Sequence, residues 1–216
     1  MYLPDPSSAV KISVIIGAWC ALLGFPIAVF FGWLLARRRF PGKTALATAL
    51  LAPLVMPPVV TGYLLLELLG GTFVPFSLAG AVLAALIVGL PLYILSARIA
   101  IASVDEKLEE VSWTLGKGPG ETFRRITLPL AFPGLAAGAL LAFARGLGEF
   151  GATVVLAGNT EGKTRSIALA IYALLEAPGG EREMGRLLWA SLALSFGALA
   201  GYEFLLRWQA RRLEGA

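Results

Sequence analysis

From Val14 to Ala36 the chain runs for 23 residues without a charge. Wound as an α-helix at about 1.5 Å per residue, that run is roughly 35 Å long, enough to cross about 30 Å of hydrocarbon. Similar apolar runs recur along the chain, and they predict five spans, at about 10–36, 45–69, 78–97, 130–156 and 187–206. The composition agrees. With 57% hydrophobic residues and only 15% charged ones, the 216-residue chain has too little polar surface to coat a soluble domain. The fold class is therefore an all-α integral membrane protein of about five transmembrane helices in a single domain covering residues 1–216.

Charge sets the expected orientation. Five spans put Arg37, Arg38, Arg39, Lys43, Arg98, Lys107, Lys117, Arg124, Arg125, Arg207, Arg211 and Arg212 on one side. Lys11, Lys163, Arg165, Arg182 and Arg186 fall on the other, so the balance is twelve against five. The positive-inside rule then predicts a cytoplasmic C-terminus and an external N-terminus. The apolar stretch Ile167–Leu175 is too short to cross, and segment 164–177 is expected to lie in the interface as a short helix. A sixth crossing there would weaken the charge asymmetry.

The same inventory excludes several functions. The net charge of +4 comes from basic residues flanking the apolar runs, with no basic face for nucleic acid. A single cysteine, Cys20, permits no intrachain disulfide, and with no histidine the usual zinc and haem sites are excluded. The N-terminus carries Asp5 and no basic region, which predicts that the first apolar run is retained rather than cleaved as a signal peptide. Gly146-x-Gly148-x-x-Gly151 spells a dinucleotide fingerprint, but inside an apolar span it lacks the strand–helix context. An intramembrane enzyme fares badly: there is no HExxH, no histidine for a general base, and the membrane-embedded charges are one arginine and one glutamate.

One polar island interrupts this pattern, Val104 to Pro129, reading VDEKLEEVSWTLGKGPGETFRRITLP. Val104, Leu108, Val111 and Leu115 recur at helical spacing, with Asp105, Glu106, Lys107, Glu109 and Glu110 around them. Gly116 stands where a helix C-cap favours a left-handed residue, and Gly118-Pro119-Gly120 predicts a tight reversal. A second short helix is expected over Glu121–Ile126. Two short helices joined at a glycine can present a knob to another protein; a solvated cytoplasmic loop is the plainer alternative.

The spacing of Glu110, Gly116, Ile126, Leu128 and Pro129 resembles the EAA loop of ABC-importer permeases, with Val111 and Ser112 in place of the two alanines. Three further segments resemble the permease subunit of molybdate ABC transporters: Leu54–Tyr63 around Pro57-Pro58, Ala142–Thr153 with Gly-Glu-Phe-Gly-Ala-Thr, and Gly162–Arg165. The Phe40–Lys43 and Pro178–Glu181 turns fit as well. The resemblance spans nearly the whole chain. It implies a homodimer in a prokaryotic cell membrane, two cytoplasmic ABC ATPase subunits on the EAA-type loops, and an extracytoplasmic binding protein that delivers the oxyanion. It also implies inward transport of molybdate or tungstate by alternating access. ATP and Mg would sit on the partner subunit, with no cofactor on this chain, which has no GxxxxGK[ST] loop. A sulfate or thiosulfate permease is the rival of the same class. An ion-coupled carrier is less favoured, because no inverted repeat is detectable.

Mid-span residues carry the remaining candidates. Pro57 and Pro58 withhold backbone donors, which is tolerated where protein or a water-lined cavity satisfies the freed carbonyls; a plain kink is the alternative. Thr61 follows one turn on. Arg145 would cost about 2.5–3.5 kcal/mol facing lipid at mid-depth, so it faces protein, water or the membrane edge. Glu149, one turn later, can pair with it, and both a structural ion pair and a place on the oxyanion path remain open. Gly134-x-x-x-Gly138 allows close helix approach, either within the chain or at a dimer seam.

Overall fold

The computed structural model describes residues 6–176 and 180–214, so Pro178 and Gly179 of the expected turn, and residue 177 of the expected interfacial segment, lie outside them. Every regular element among the described residues is a helix. In chain order they are α1 Pro6–Arg37, α2 Lys43–Val55, α3 Pro58–Leu69, α4 Leu78–Ala102, α5 Glu106–Thr114 and α6 Pro119–Thr122. A π-turn, Phe123–Thr127, follows, and then α7 Leu128–Leu147, α8 Gly151–Ala157, α9 Ile167–Leu175 and α10 Glu181–Glu214. Four stretches are long and apolar enough to cross a membrane: α1, α4, the continuous helix Pro119–Leu147, and α10. The bent pair α2–α3 makes a fifth.

Two of the expected helices are broken. Where the apolar pattern predicts one helix over 45–69, α2 and α3 meet at 109°. Pro57 and Pro58 are the cause: neither donates to the turn before it, so α2 ends at Val55 and Pro58 starts a new helix at its first position. Where one helix is predicted over 130–156, α7 stops at Leu147 and α8 begins at Gly151. Other elements run past their apolar cores, α4 to Ala102 and α10 from Glu181, because helix propensity continues where hydropathy fades.

The centre of the bundle is α4, the most enclosed of the long helices, packed against α1 and α7. Tyr93, Ile94, Ala97 and Ile101 of α4 meet Ala28 and Leu35 of α1 and Ala131, Leu135 and Ala142 of α7. Small residues allow the close approach. A Cβ on Gly32 would lie 2.8 Å from the Ala97 Cβ, and one on Gly138 would lie 2.9 Å from Ser96 Oγ. Gly134 likewise abuts Ala100 and Gln209, so the Gly134-x-x-x-Gly138 spacing serves packing within the chain.

Side-chain bonds fix which ends lie together. Arg37 at the end of α1 bonds Glu106 and Glu109 of α5, and Gln209 of α10 bonds Ala100 O at 3.3 Å and Ser103 Oγ at 3.1 Å. These ends form one pole. At the other, the Ile167 N–H donates to Ser13 Oγ at 2.8 Å, and α9 tucks Ile167, Ala170 and Leu174 against Ala9 and Leu187.

Candidate functional site

The polar pole is built on α5. Asp105 caps its start by accepting from the Lys107 N–H at 2.9 Å. Its end is a Schellman motif: Gly116 takes φ +80°, its N–H reaches Trp113 O, and the Lys117 N–H reaches Ser112 O. The chain then reverses into α6, with Lys117 Nζ bonded to Glu121 at 2.8 Å. That hydrogen bond, helped by the charges of Lys117 and Arg125, holds the Glu121 carboxyl below its ordinary range. The expected second short helix is not separate. Residues 119–147 run as one helix, and the π-turn sits just ahead of Pro129, whose ring crowds the carbonyl one turn back.

On α5 the apolar residues face outward. Val111 and Leu115 are 56% and 74% exposed, while Glu109 and Ser112 point inward and are buried. The single apolar face expected from spacing is therefore split: Val104 precedes the helix and is buried in the core, Leu108 is half-buried, and Val111 and Leu115 are exposed. Charge explains the inversion. Arg37 donates from Nε to Glu109 Oε1 at 3.0 Å, from Nη1 to Glu106 Oε1 at 3.2 Å and from Nη2 to Val104 O at 2.6 Å. Thr127 Oγ1 donates to the same Glu109 oxygen at 2.7 Å, and Ser112 and Thr122 share a buried bond at 2.9 Å.

Glu110, on which the spaced pattern is registered, is exposed at the rim of a cavity of about 490 Å³. Leu128 seats the start of α7 in the core, Ile126 is half-buried, and Pro129 is exposed. Arg37, Glu109 and Thr127 are not legible from spacing. Arg37 is one of three consecutive arginines, and Glu109 stands beside an identical residue. The available signal is the pair Glu109 and Ser112, three apart and so on one stripe of the helix, to which Val111 does not belong.

A second cluster lies where α3 meets α8. Glu149 is 2% exposed; its Oε2 pairs with Arg145 Nη1 at 2.8 Å, and its Oε1 accepts the Ala152 N–H at 2.8 Å. One carboxylate thus neutralises the arginine and caps α8. The Arg145 side chain is 29% exposed, with its stem beside Gly89. The structure brings this pair up against the proline break: a Cβ on Gly151 would lie 3.0 Å from the Pro58 Cβ, and one on Gly62 only 2.7 Å from Ala152 O. Thr61 is buried, and its hydroxyl has no hydrogen-bond partner among the described residues. Pro57 is exposed at the bend.

Comparison with known proteins agrees with this architecture. Residues 28–215 match the family described as binding-protein-dependent transport system inner membrane component. The molybdenum transport system permease protein ModB of Escherichia coli is 44% identical over 221 residues, covering 96% of each chain. Its namesake from Haemophilus influenzae is 39% identical over 220 residues, covering 96% of this chain and 94% of that one. Among solved structures, a chain of the inward-facing MetNI methionine ABC transporter superposes with a TM-score of 0.73. It is 16% identical, and 93% of this chain and 94% of that one are covered. The likeness of fold, the family match and the identity to these relatives agree: the chain belongs to the binding-protein-dependent transport system inner membrane components, a family of permease subunits.

Proposed function

We propose that this chain is the membrane permease of an ATP-driven importer of molybdate or tungstate, working as a homodimer. Two cytoplasmic ATPase subunits dock on the α5–α6 knobs, and an external binding protein delivers the oxyanion. The observation that carries the docking is the inverted face of α5: a water-exposed helix that turns Val111, Trp113 and Leu115 outward is left in want of an apolar partner surface. The relatives named for molybdenum transport support the cargo. The polar pole collects most of the basic residues and is placed in the cytoplasm on that ground. ATP and Mg belong to the ATPase subunits, and this chain needs no cofactor of its own.

Mechanism follows from how the knob is joined to the spans. Nucleotide binding closes the ATPase pair and carries the two knobs with it. Because α6, the π-turn and α7 are one continuous helix, motion at the knob is motion at the end of a span. The spans then exchange the side on which the path is open, and each ligand shifts that balance only through contacts that differ between the two states. Arg145 and Glu149 form an ion pair that holds α7 to α8, and with Pro57, Pro58 and Thr61 they are the candidates for the path wall.

The test is uptake of labelled molybdate into proteoliposomes holding this chain, its ATPase and its binding protein, with tungstate and sulfate as competitors. ATP-dependent uptake blocked by tungstate but not by sulfate is expected. ATPase activity without molybdate uptake would keep the permease and overturn the cargo; uptake driven by an ion gradient would overturn the mechanism.

A further inference from the structure

The proposed function requires α5 to push on the spans, yet α5 has little apolar contact with them. Its buried residues are Glu109 and Ser112, and a cavity of about 490 Å³, walled by Trp33, Arg37, Glu109, Phe123 and Thr127, opens beside its contact with the end of α1. The bonds that join α5 to α1 are polar. A single oxygen, Glu109 Oε1, receives Arg37 Nε from α1 and Thr127 Oγ1 from the base of α7. The arginine's other two branches grip Glu106 and the Val104 carbonyl on either side of the α5 cap.

We propose that the buried Arg37–Glu109–Thr127 junction is the joint through which displacement of α5 reaches α1 and α7 together, with Glu109 as its positioning residue. Charge-assisted bonds from a planar guanidinium fix direction as well as distance, whereas an apolar contact would let a nine-residue helix slide. The side chains of Arg37 and Glu109 are 8% and 9% exposed, so water is a poor substitute partner for either. The bond between Ser112 and Thr122 ties α5 to the continuous α6–α7 helix and leaves α1 out. Of the three junction residues only Glu109 shares an element with the exposed docking residues, and it is buried, so the joint lies behind the docking surface.

This inference rests on the importer reading, and one experiment distinguishes their failures. The complete complex is reconstituted, and molybdate moved and ATP hydrolysed are measured in the same vesicles. If the wild type moves no molybdate on ATP, the importer reading falls and takes the joint with it. Given working wild type, Glu109→Gln is expected to keep the ATPase subunits bound and hydrolysing while the molybdate moved per ATP falls about tenfold. A change confined to folding would lower transport and hydrolysis together, leaving their ratio intact. Thr127→Val removes one hydrogen bond to the same oxygen with little change of shape and should lower the ratio about threefold. It serves as the deciding variant if Glu109→Gln fails to assemble. Ser112→Ala, outside the junction, should leave the ratio near wild type. An unchanged ratio in Glu109→Gln, or in Thr127→Val where only that variant assembles, would overturn the joint and leave the importer standing.

Discussion

Gly116 holds φ +80° at the end of α5, where a side chain would meet no neighbour within 4 Å. The constraint is thus backbone conformation, not space. A left-handed residue costs a non-glycine about 1–2 kcal/mol, more for a β-branched one and less for asparagine. Gly116→Val should loosen the Schellman turn and uncouple transport while membrane insertion stays normal; Gly116→Asn should transport near the wild-type rate. Uptake assays beside membrane-fraction blots check both, and normal uptake by Gly116→Val would refute the need for the turn. Glu149 is constrained differently, because two partners share its buried carboxylate. Losing Arg145 leaves that charge unpaired, at a cost of about 3 kcal/mol or more, and losing Glu149 also uncaps α8. Arg145→Ala and Glu149→Ala should each lose folded protein in thermal melts. With Glu149→Gln as the second single variant, Arg145→Ala/Glu149→Gln should recover part of the loss, giving a coupling of about 1–3 kcal/mol in the double-mutant cycle. If Arg145→Ala instead melts like wild type but does not transport, the arginine serves the path and not the fold.

At the scale of elements, the α3–α8 contact shows how much the sequence can and cannot say. Pro57-Pro58 marks a disturbance in an apolar run, but a kinked helix and a 109° break carry the same local signal. The size of the bend is set by what α3 then packs on, and that partner, α8, is itself a fragment cut from an apolar run that reads as one span. Gly62 and Gly151 reveal the pairing only once the backbones are adjacent. The knob was more legible: the C-cap at Gly116 and the reversal at 118–120 follow from residue chemistry alone. Its orientation was not, because the direction α5 faces depends on Arg37, 72 residues from Glu109. At Gly62 the packing leaves no room for a methyl group. Gly62→Ala should force α3 off α8 and destabilise the chain by about 1–3 kcal/mol, read as a lowered melting temperature in detergent. Gly71→Ala, at an open position two residues beyond the same helix, is the control and should melt like wild type.

Over the whole molecule, the outer faces of α1, α3 and α10 present a belt of large apolar side chains, including Leu22, Phe30, Leu68, Trp189 and Phe204. A belt of that extent suits lipid or a second copy of the chain, not water. Its two rims differ in the number of basic residues, and that difference is the ground for the proposed orientation. The α5–α6 pole holds Arg124, while the opposite pole holds Lys163 in the loop between α8 and α9; both are exposed. Two labels therefore test the arrangement of the spans. With Cys20 replaced by alanine, Arg124→Cys should react with a membrane-impermeant thiol reagent in inverted vesicles and be silent in intact cells. Lys163→Cys should do the reverse. An exchanged pattern would keep the helix arrangement and overturn the charge-based orientation. Labelling of both from one side would mean that the helix between them, Pro119–Leu147, does not cross the membrane. The continuous link from knob to span would then have no bilayer to work across.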